Sequence, residues 1–220
     1  MDTSSRPPKP DPRLPETEAM DLEDCIVKLS IGPSSVTVLV HKNVLTKSSA
    51  FFQREAKREL TGMKDEQETI ILPDEDPHIV KGYIHWLYSG KFPMPAVDKG
   101  APHFRRLSYA YIFGDRRMDP KFKNAIIDAF VATAAEFCSY PSATTMAIVY
   151  EETPEGCPAR QLLADFIAYR AKNTPDWNTE MGRYDKAMLV DIARAMIRVR
   201  PQVDFLPAQM LNQAYYEKEN

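Results

Sequence analysis

Hydrophobic and polar residues alternate in two short segments near the start of the chain. The first runs from Ile26 to Ile31 and the second from Val36 to Val40. A period of two places successive side chains on opposite faces of a strand. The turn residues Gly-Pro-Ser-Ser at 32–35 separate the segments, so the pattern predicts a β-hairpin. Residues 69–72, Thr-Ile-Ile-Leu, predict a third strand that ends at Pro73.

A helical period replaces the alternation after His41. Two short helices are expected between His41 and Glu59, and Ser48 is predicted as the N-cap of the second. Residues 61–68 are polar and predict a loop. The hairpin is therefore expected to be followed by two helices and then by the third strand.

Two further helices begin with the same dipeptide. Asp76-Pro77 and Asp119-Pro120 each place a capping carboxylate before a proline at the first helical position. The first of these helices is expected to end at Ser89-Gly90. Between the two, residues 91–102 predict a loop and residues 104–113 predict a helix.

Proline residues mark a second boundary at Pro141, Pro154 and Pro158. Beyond it the apolar spacing predicts two more helices. Their core-facing residues are predicted to be Leu162, Phe166 and Tyr169 in one helix, with Leu163 and Ile167 beside them, and Leu189, Ile192, Met196 and Val199 in the other.

Composition divides the chain into three parts. The 220 residues include 18 prolines and 8 glycines, and five of the prolines fall within residues 1–20. We expect a disordered tail at 1–20, an α+β domain at 21–137 and an α-helical extension at 138–220. The hydrophobic content of 44% permits a packed core.

Charge and cysteine content restrict the class of partner. The formal net charge of −3 provides no strong field, so neither nucleic acid nor a membrane surface is an expected partner. Three widely spaced cysteines, Cys25, Cys138 and Cys157, predict reduced thiols and an intracellular protein. Cys25 is expected to lie on the first strand as an inert packing residue.

No motif for catalysis or for a cofactor is found. The four histidines, His41, His78, His85 and His103, have no cysteine or histidine neighbour at metal-ligand spacing. His41 is expected to be a hydrogen-bonded residue at the end of a strand. We therefore predict no catalytic residue, no metal and no cofactor, and a binding module rather than an enzyme. A metal site built from distant residues and an enzyme site without a motif stay open as alternatives.

Several segments together resemble a known family. They are Asp24-Cys25-Ile26-Val27, Val40-His41-Lys42-Asn43-Val44-Leu45, Ser48-Ser49-Ala50-Phe51-Phe52, and the run from Ile70 to Pro77 that leads into Trp86–Phe92. Their order and spacing over residues 21–135 are similar to a BTB/POZ domain, which implies a three-stranded sheet flanked by a cluster of helical hairpins. The segment Val149–Leu163 resembles the helical extension of the stand-alone BTB proteins of filamentous fungi.

The resemblance implies a protein-interaction function. Members of the family dimerise, act as adaptors for cullin-type ubiquitin ligases or recruit transcriptional co-repressors. Cullin-binding members carry a hydrophobic-x-Glu motif, and the nearest segment here is Met63-Lys64-Asp65, with Asp in place of Glu. Asp24 and Lys42 match an acidic and basic pair in a charged pocket beside the dimer interface. A local ion pair closing the hairpin is the other interpretation of these two residues.

The resemblance also bears on assembly. Residues 1–20 are too rich in proline to supply the swapped strand and helix of long-form members, so a homodimer is expected to lack a swapped N-terminal element. Tyr88, Phe92 and Trp177 are candidate anchors for a protein partner, and core or edge packing is the favoured interpretation of each. A nuclear scaffold that recruits partner proteins without contacting DNA is the alternative function.

Overall fold

The computed structural model describes residues 15, 23–58, 69–170 and 175–200. The predicted tail at 1–20, apart from Pro15, and the predicted loop at 61–68 lie outside these residues, as do Met63 and Asp65. In the described part of the chain the elements are β1 (Ile26–Ile31), β2 (Val36–His41), α1 (Lys42–Thr46), α2 (Ala50–Arg58), β3 (Thr69–Leu72), α3 (Pro77–Ser89), α4 (Gly100–Arg116), α5 (Pro120–Glu136), α6 (Ala143–Glu152), α7 (Pro158–Arg170), α8 (Pro175–Met181) and α9 (Lys186–Val199). They confirm the predicted α+β class.

The three strands form one mixed sheet in the order β2-β1-β3. β1 pairs antiparallel with β2, as the hairpin prediction requires, and parallel with β3. The register places Leu29 between Val38 and Ile70, and Lys28 between Leu39 and Thr69. Val27, Leu29 and Ile31 are completely buried, so one face of the sheet forms part of the core. The side chains of opposite parity form the other face.

The capping prediction for α2 is wrong by one residue. Ser49, rather than Ser48, accepts a hydrogen bond from the backbone N–H of Phe52, at 3.2 Å. Ser48 instead donates its hydroxyl hydrogen bond to Asp119. Serine is a favourable N-cap residue at either position. Because the Ser48 hydroxyl is bonded to Asp119, Ser49 is the residue that caps α2.

The boundaries of α3 follow the prediction. Asp76 precedes Pro77 and accepts a hydrogen bond from the backbone N–H of His78, at 2.7 Å. Gly90 ends the helix with φ of 70°, a left-handed conformation that glycine adopts at little cost. Gly82, inside the helix, allows a close approach of Phe92, because a Cβ at that position would lie 2.6 Å from the Phe92 ring. The glycine therefore serves packing rather than a turn.

The chain divides into two compact units. The first comprises Met1–Met94 with Phe113–Ile126, and the second comprises Pro95–Ile112 with Ile127–Asn220. The long helices α4 and α5 each contribute to both units. The first unit contains the sheet, and its core includes a cluster of rings in which Tyr83 contacts Phe52, Phe113 and Phe122.

Several predictions in the second unit need correction. α4 begins at Gly100 rather than near Phe104, which shortens the predicted loop, and α6 and α8 were not expected. The buried faces of α7 and α9 are also rotated from the predicted ones. Tyr169 is 73% exposed and Leu189 is 39% exposed, whereas the buried positions include alanines: Ala159, Ala164 and Ala195. Alanine allows close helix packing, and a pattern based on large side chains overlooks it.

Candidate interaction surface

The sheet presents apolar side chains on the face that points away from the core. We call this face, formed by Ile26, Lys28, Ser30, Thr37, Leu39, Thr69 and Ile71, the outer sheet face. Leu39 is 57% exposed and Ile71 is 69% exposed, and Ile26 is 37% exposed. Soluble proteins expose single apolar residues routinely, but several on one small face are typical of a protein-binding surface.

Burial of the side chains on the opposite face fixes the strand register, and the register determines which side chains form the outer sheet face. A shift of register by one residue would move Val27, Leu29 and Ile31 from the core into water. Their complete burial therefore holds Leu39 and Ile71 outward. Lys28 and Ser30 lie between these two side chains on β1. The resulting surface has apolar borders and a polar centre.

Asp24 lies at one corner of the first unit, directly before β1. Its Oδ2 accepts a hydrogen bond from the backbone N–H of Asn43 at 2.5 Å, near the start of α1. This hydrogen bond is the main reason that the pKa of Asp24 lies below its ordinary value, and the nearby charge of His41 contributes to the same direction. Lys42 is the first residue of α1. The charged pocket beside a dimer interface and the local ion pair that closes the hairpin, the two interpretations of Asp24 and Lys42, both stay predictions.

Tyr88 joins α3 to the end of β2. Its hydroxyl oxygen lies 2.7 Å from Nδ1 of His41 and accepts a hydrogen bond from the backbone N–H of His41 at 3.0 Å. The expectation that His41 is a hydrogen-bonded residue at a strand end is confirmed. Tyr88 is 37% exposed, so this candidate anchor packs at the edge of the sheet and also reaches solvent.

Asp119 forms a buried polar cluster beneath the first two helices. Its carboxylate accepts hydrogen bonds from the Ser48 hydroxyl at 2.6 Å, the Tyr83 hydroxyl at 2.8 Å and the backbone N–H of Phe122 at 3.0 Å. We call these four residues the Asp119 cluster. The bond to Phe122 caps α5, as the sequence predicts, and the other two tie α5 to the α1–α2 turn and to α3. Burial and the Asp119 charge raise the pKa of Tyr83 well above its ordinary value, so its hydroxyl stays protonated.

A buried ion pair lies beside this cluster. The Arg117 guanidinium donates to the carboxylate of Glu75, which is 8% exposed, and it also lies over the ring of Phe51 at 4.3 Å. Its backbone carbonyl accepts a hydrogen bond from Ser49 at 2.7 Å. The segment between α4 and α5 is thereby held against both α2 and the turn before α3.

Comparison with known families identifies the domain that contains the sheet. Residues 17–112 match the family model of the BTB/POZ domain. The chain contains a BTB/POZ domain. Such a domain is a protein-interaction module, so the outer sheet face and the corners around it are candidate contact surfaces. No curated protein matches the chain.

The second unit contains a buried arginine that ties two helices together. Arg160 is 9% exposed and lies near the start of α7. Its Nε donates to the Thr153 hydroxyl at 3.0 Å, and its Nη2 donates to the carbonyl oxygens of Tyr150, at 2.5 Å, and Thr153. We call these three residues the Arg160 cluster. Because the carbonyls belong to the end of α6, the guanidinium caps that helix.

The second unit also places the candidate anchor Trp177. Its ring stacks on Tyr140 at 5.2 Å between centroids, in the wall of a cleft of about 410 Å³. Phe92, in the BTB domain, is half-buried and packs against Phe122 at 5.7 Å. Of the three candidate anchors, only Tyr88 lies beside the outer sheet face.

The three cysteines differ in accessibility. Cys25 is exposed and precedes β1, so the prediction of an inert packing residue on a strand is wrong, because the strand begins one residue later. Cys138 is exposed, and Cys157 is buried with its sulfur 3.3 Å from the Tyr111 hydroxyl.

In the described ranges no three His, Cys, Asp or Glu side chains are grouped as metal ligands. None of the described helices is long and apolar enough to cross a membrane.

The sequence did not identify Leu39 and Ile71 as surface residues. A signal was present: Leu39 occupies the solvent phase of an alternating strand, and Ile71 follows another isoleucine in β3. Apolar residues in both phases predict either a strand buried on both faces or an exposed apolar face. Only the fold distinguishes these two cases.

Proposed function

We propose that the chain is a non-enzymatic intracellular adaptor whose BTB/POZ domain binds protein partners, with a cullin as the first candidate. The observation that carries the proposal is the exposed apolar side chains on the outer sheet face of a BTB/POZ domain. A protein contact of about 800 Å² per partner buries apolar side chains of this kind, and the polar side chains of β1 between them can supply hydrogen bonds to the partner. We place the domain at 21–137 and the helical extension at 138–220.

The cullin contact is proposed to use the segment around Met63 and Asp65. The support is the hydrophobic-x-acidic pattern of Met63-Lys64-Asp65, in the position where cullin-binding members carry hydrophobic-x-Glu. Aspartate keeps the negative charge on a shorter side chain, so the same electrostatic contact needs a closer approach of the partner.

Capture of a purified cullin by the immobilised full chain tests this function. Met63→Ala and Asp65→Ala are expected to reduce capture at least tenfold each. Asp74→Ala, which removes an exposed carboxylate from the turn before α3, is the matched control and should leave capture unchanged. Capture that survives both substitutions would show that the motif assignment is wrong.

The alternative function, a nuclear scaffold, gives different results in the same system. It predicts nuclear accumulation and binding of co-repressor proteins without cullin capture. Binding to bare duplex DNA with a steep salt dependence would contradict both functions, because neither uses phosphate contacts.

A further inference from the structure

Strand β2 lies at the border of the sheet, with β1 as its neighbour on one side. The backbone N–H of Lys42 donates to the carbonyl of Cys25 at 2.9 Å, which fixes the phase of the antiparallel ladder. Val36, Val38 and Val40 therefore direct their backbone groups toward β1. The N–H and C=O groups of Thr37, Leu39 and His41 point away from the sheet.

One of these three outward positions already has a partner. The N–H of His41 donates to the Tyr88 hydroxyl, which closes the end of the strand. Among the described residues, none forms a hydrogen bond with the outward backbone groups of Thr37 and Leu39. We call the backbone of Thr37–Leu39 on this side the β2 edge.

The β2 edge lacks the features that protect exposed edges in other sheets. Natural edge strands are usually short, carry lysine or proline, or contain a bulge. β2 has six residues, Val-Thr-Val-Leu-Val-His, with no lysine, proline or glycine, and its pairing with β1 is continuous. β3, at the other border, has only four residues. A strand rich in β-branched residues, with Leu39 57% exposed, is suited to pairing with another strand.

We propose that the β2 edge pairs antiparallel with the β2 edge of a second copy of this chain, about a two-fold axis at Val38. The open positions, Thr37 and Leu39, lie symmetrically on either side of Val38. An axis there places Thr37 opposite Leu39 of the second copy and, by symmetry, Leu39 opposite Thr37. All four open N–H groups and their carbonyls then pair, while the Tyr88 contact stays outside the overlap.

The charges of the outer sheet face are compatible with this arrangement. The paired residues Thr37, Val38 and Leu39 carry no charged side chain, and the nearest lysine on this face is Lys28 on β1. Three strand spacings of about 4.8 Å would separate the two Lys28 side chains, more than the screening length of about 8 Å at physiological salt. The proposal deepens the proposed function, on which it rests, because it assigns one surface of the interaction module to self-association.

The proposal is tested by the molar mass of the full chain under reducing conditions, measured by light scattering over a series of concentrations. The wild-type mass is expected to rise from 25.1 kDa toward twice that value. Leu39→Lys should abolish the rise, because it places a lysine on the edge and brings two cations near the axis. Ile71→Lys makes the same change on the same face but on β3, and it should leave the rise intact. Circular dichroism confirms that both variants are folded.

Amide hydrogen exchange gives a second measurement that a different dimer would not reproduce. The amides of Thr37 and Leu39 should exchange more slowly as concentration rises, whereas Val38, bonded to β1, should be protected at every concentration. A wild-type mass of 25.1 kDa at all concentrations, a dimer that survives Leu39→Lys, or concentration-independent exchange at Thr37 and Leu39 would overturn the proposal. Met63→Ala separates the two proposals, because it changes neither the β2 edge nor the outer sheet face. Loss of cullin capture by this variant with an unchanged rise in mass affects the proposed function alone, whereas cullin capture by a wild-type chain whose mass does not rise overturns self-association alone.

Discussion

Asp119 in the first unit and Arg160 in the second are both buried charged side chains at a helix end, but their partners lie at different distances along the chain. Asp119 binds Ser48 and Tyr83, which are 71 and 36 residues away. Arg160 binds Thr153 and Tyr150, which are 7 and 10 residues away. The Asp119 cluster therefore joins segments that meet only in the folded first unit. The Arg160 cluster can form as soon as α6 and α7 meet.

This difference predicts different consequences when each cluster is broken. Loss of a contact between distant segments removes the order of several elements at once, because no local structure replaces it. Loss of a contact between adjacent helices is expected to affect mainly those helices. Asp119→Ala and Arg160→Met measure this difference, and Asp24→Asn, which breaks a single hydrogen bond at the start of α1, gives a smaller effect for comparison.

Asp119→Ala should give the largest effect, about 3 kcal/mol in the free energy of unfolding, because it removes an N-cap and leaves the buried Tyr83 hydroxyl and the half-buried Ser48 hydroxyl without this acceptor. Urea denaturation measures it. Asp115→Ala is the matched control: its carboxylate pairs with Lys123 at 2.7 Å near the surface, so its loss should cost less than about 1 kcal/mol. Equal losses for the two variants would contradict the role assigned to the Asp119 cluster.

Hydrogen exchange shows how far the Asp119 effect extends. Amides of α1, α2 and the start of α5 should lose protection together in Asp119→Ala. A loss limited to the first turn of α5 would mean that Asp119 acts only as a helix cap.

Arg160→Met should cost about 2 kcal/mol, because three hydrogen bonds are lost while the aliphatic volume is largely retained. Arg160→Lys should recover little of this, since one ammonium group cannot replace the guanidinium that spans Thr153 and Tyr150. Arg194→Met, which removes an exposed surface ion pair with Glu155, should leave the unfolding transition unchanged.

Hydrogen exchange shows how far the Arg160 effect extends. In Arg160→Met, loss of amide protection is expected at the end of α6 and the start of α7. Loss in the sheet instead would contradict the local role.

Asp24→Asn should give the smallest effect and a characteristic pH dependence. Because the folded protein lowers the pKa of Asp24, the ionised carboxylate stabilises the fold above the ordinary value and loses that contribution as the pH falls through the folded-state pKa. The variant should therefore be less stable than wild type at neutral pH, by under about 1 kcal/mol, and the difference should vanish in acid. Asp74→Asn, at an exposed turn, controls for net charge. A difference that persists in acid would show that the charge of Asp24 is not its source.

The same contrast explains how much the sequence could predict. The hairpin, β3 and the starts of α3 and α5 depend on neighbouring residues, and the patterns around Asp76 and Asp119 were sufficient to predict them. The sequence marked Asp119 as a helix cap, but its bonds to Ser48 and Tyr83 depend on contacts that no local pattern encodes. The N-cap of α2 was misplaced for that reason.

The surface was harder to predict than the fold. Leu39 and Ile71 become exposed only because β1 turns its large residues inward and the sheet lacks a second layer of described elements on the other side. The observed buried faces of α7 and α9 differ from the predicted ones because alanines, rather than Tyr169 or Leu189, occupy the buried positions. In both cases, burial depends on what packs opposite a residue, and hydrophobicity alone does not supply this.

The distribution of the cysteines has a practical consequence for spectroscopy. Cys25 lies in the first unit and Cys138 in the second, both at the surface, whereas Cys157 is enclosed beside Tyr111. Thiol-reactive dyes should therefore label two sites without any engineered cysteine. Energy transfer between a donor at one site and an acceptor at the other would report how the distance between the two units responds when a partner protein binds.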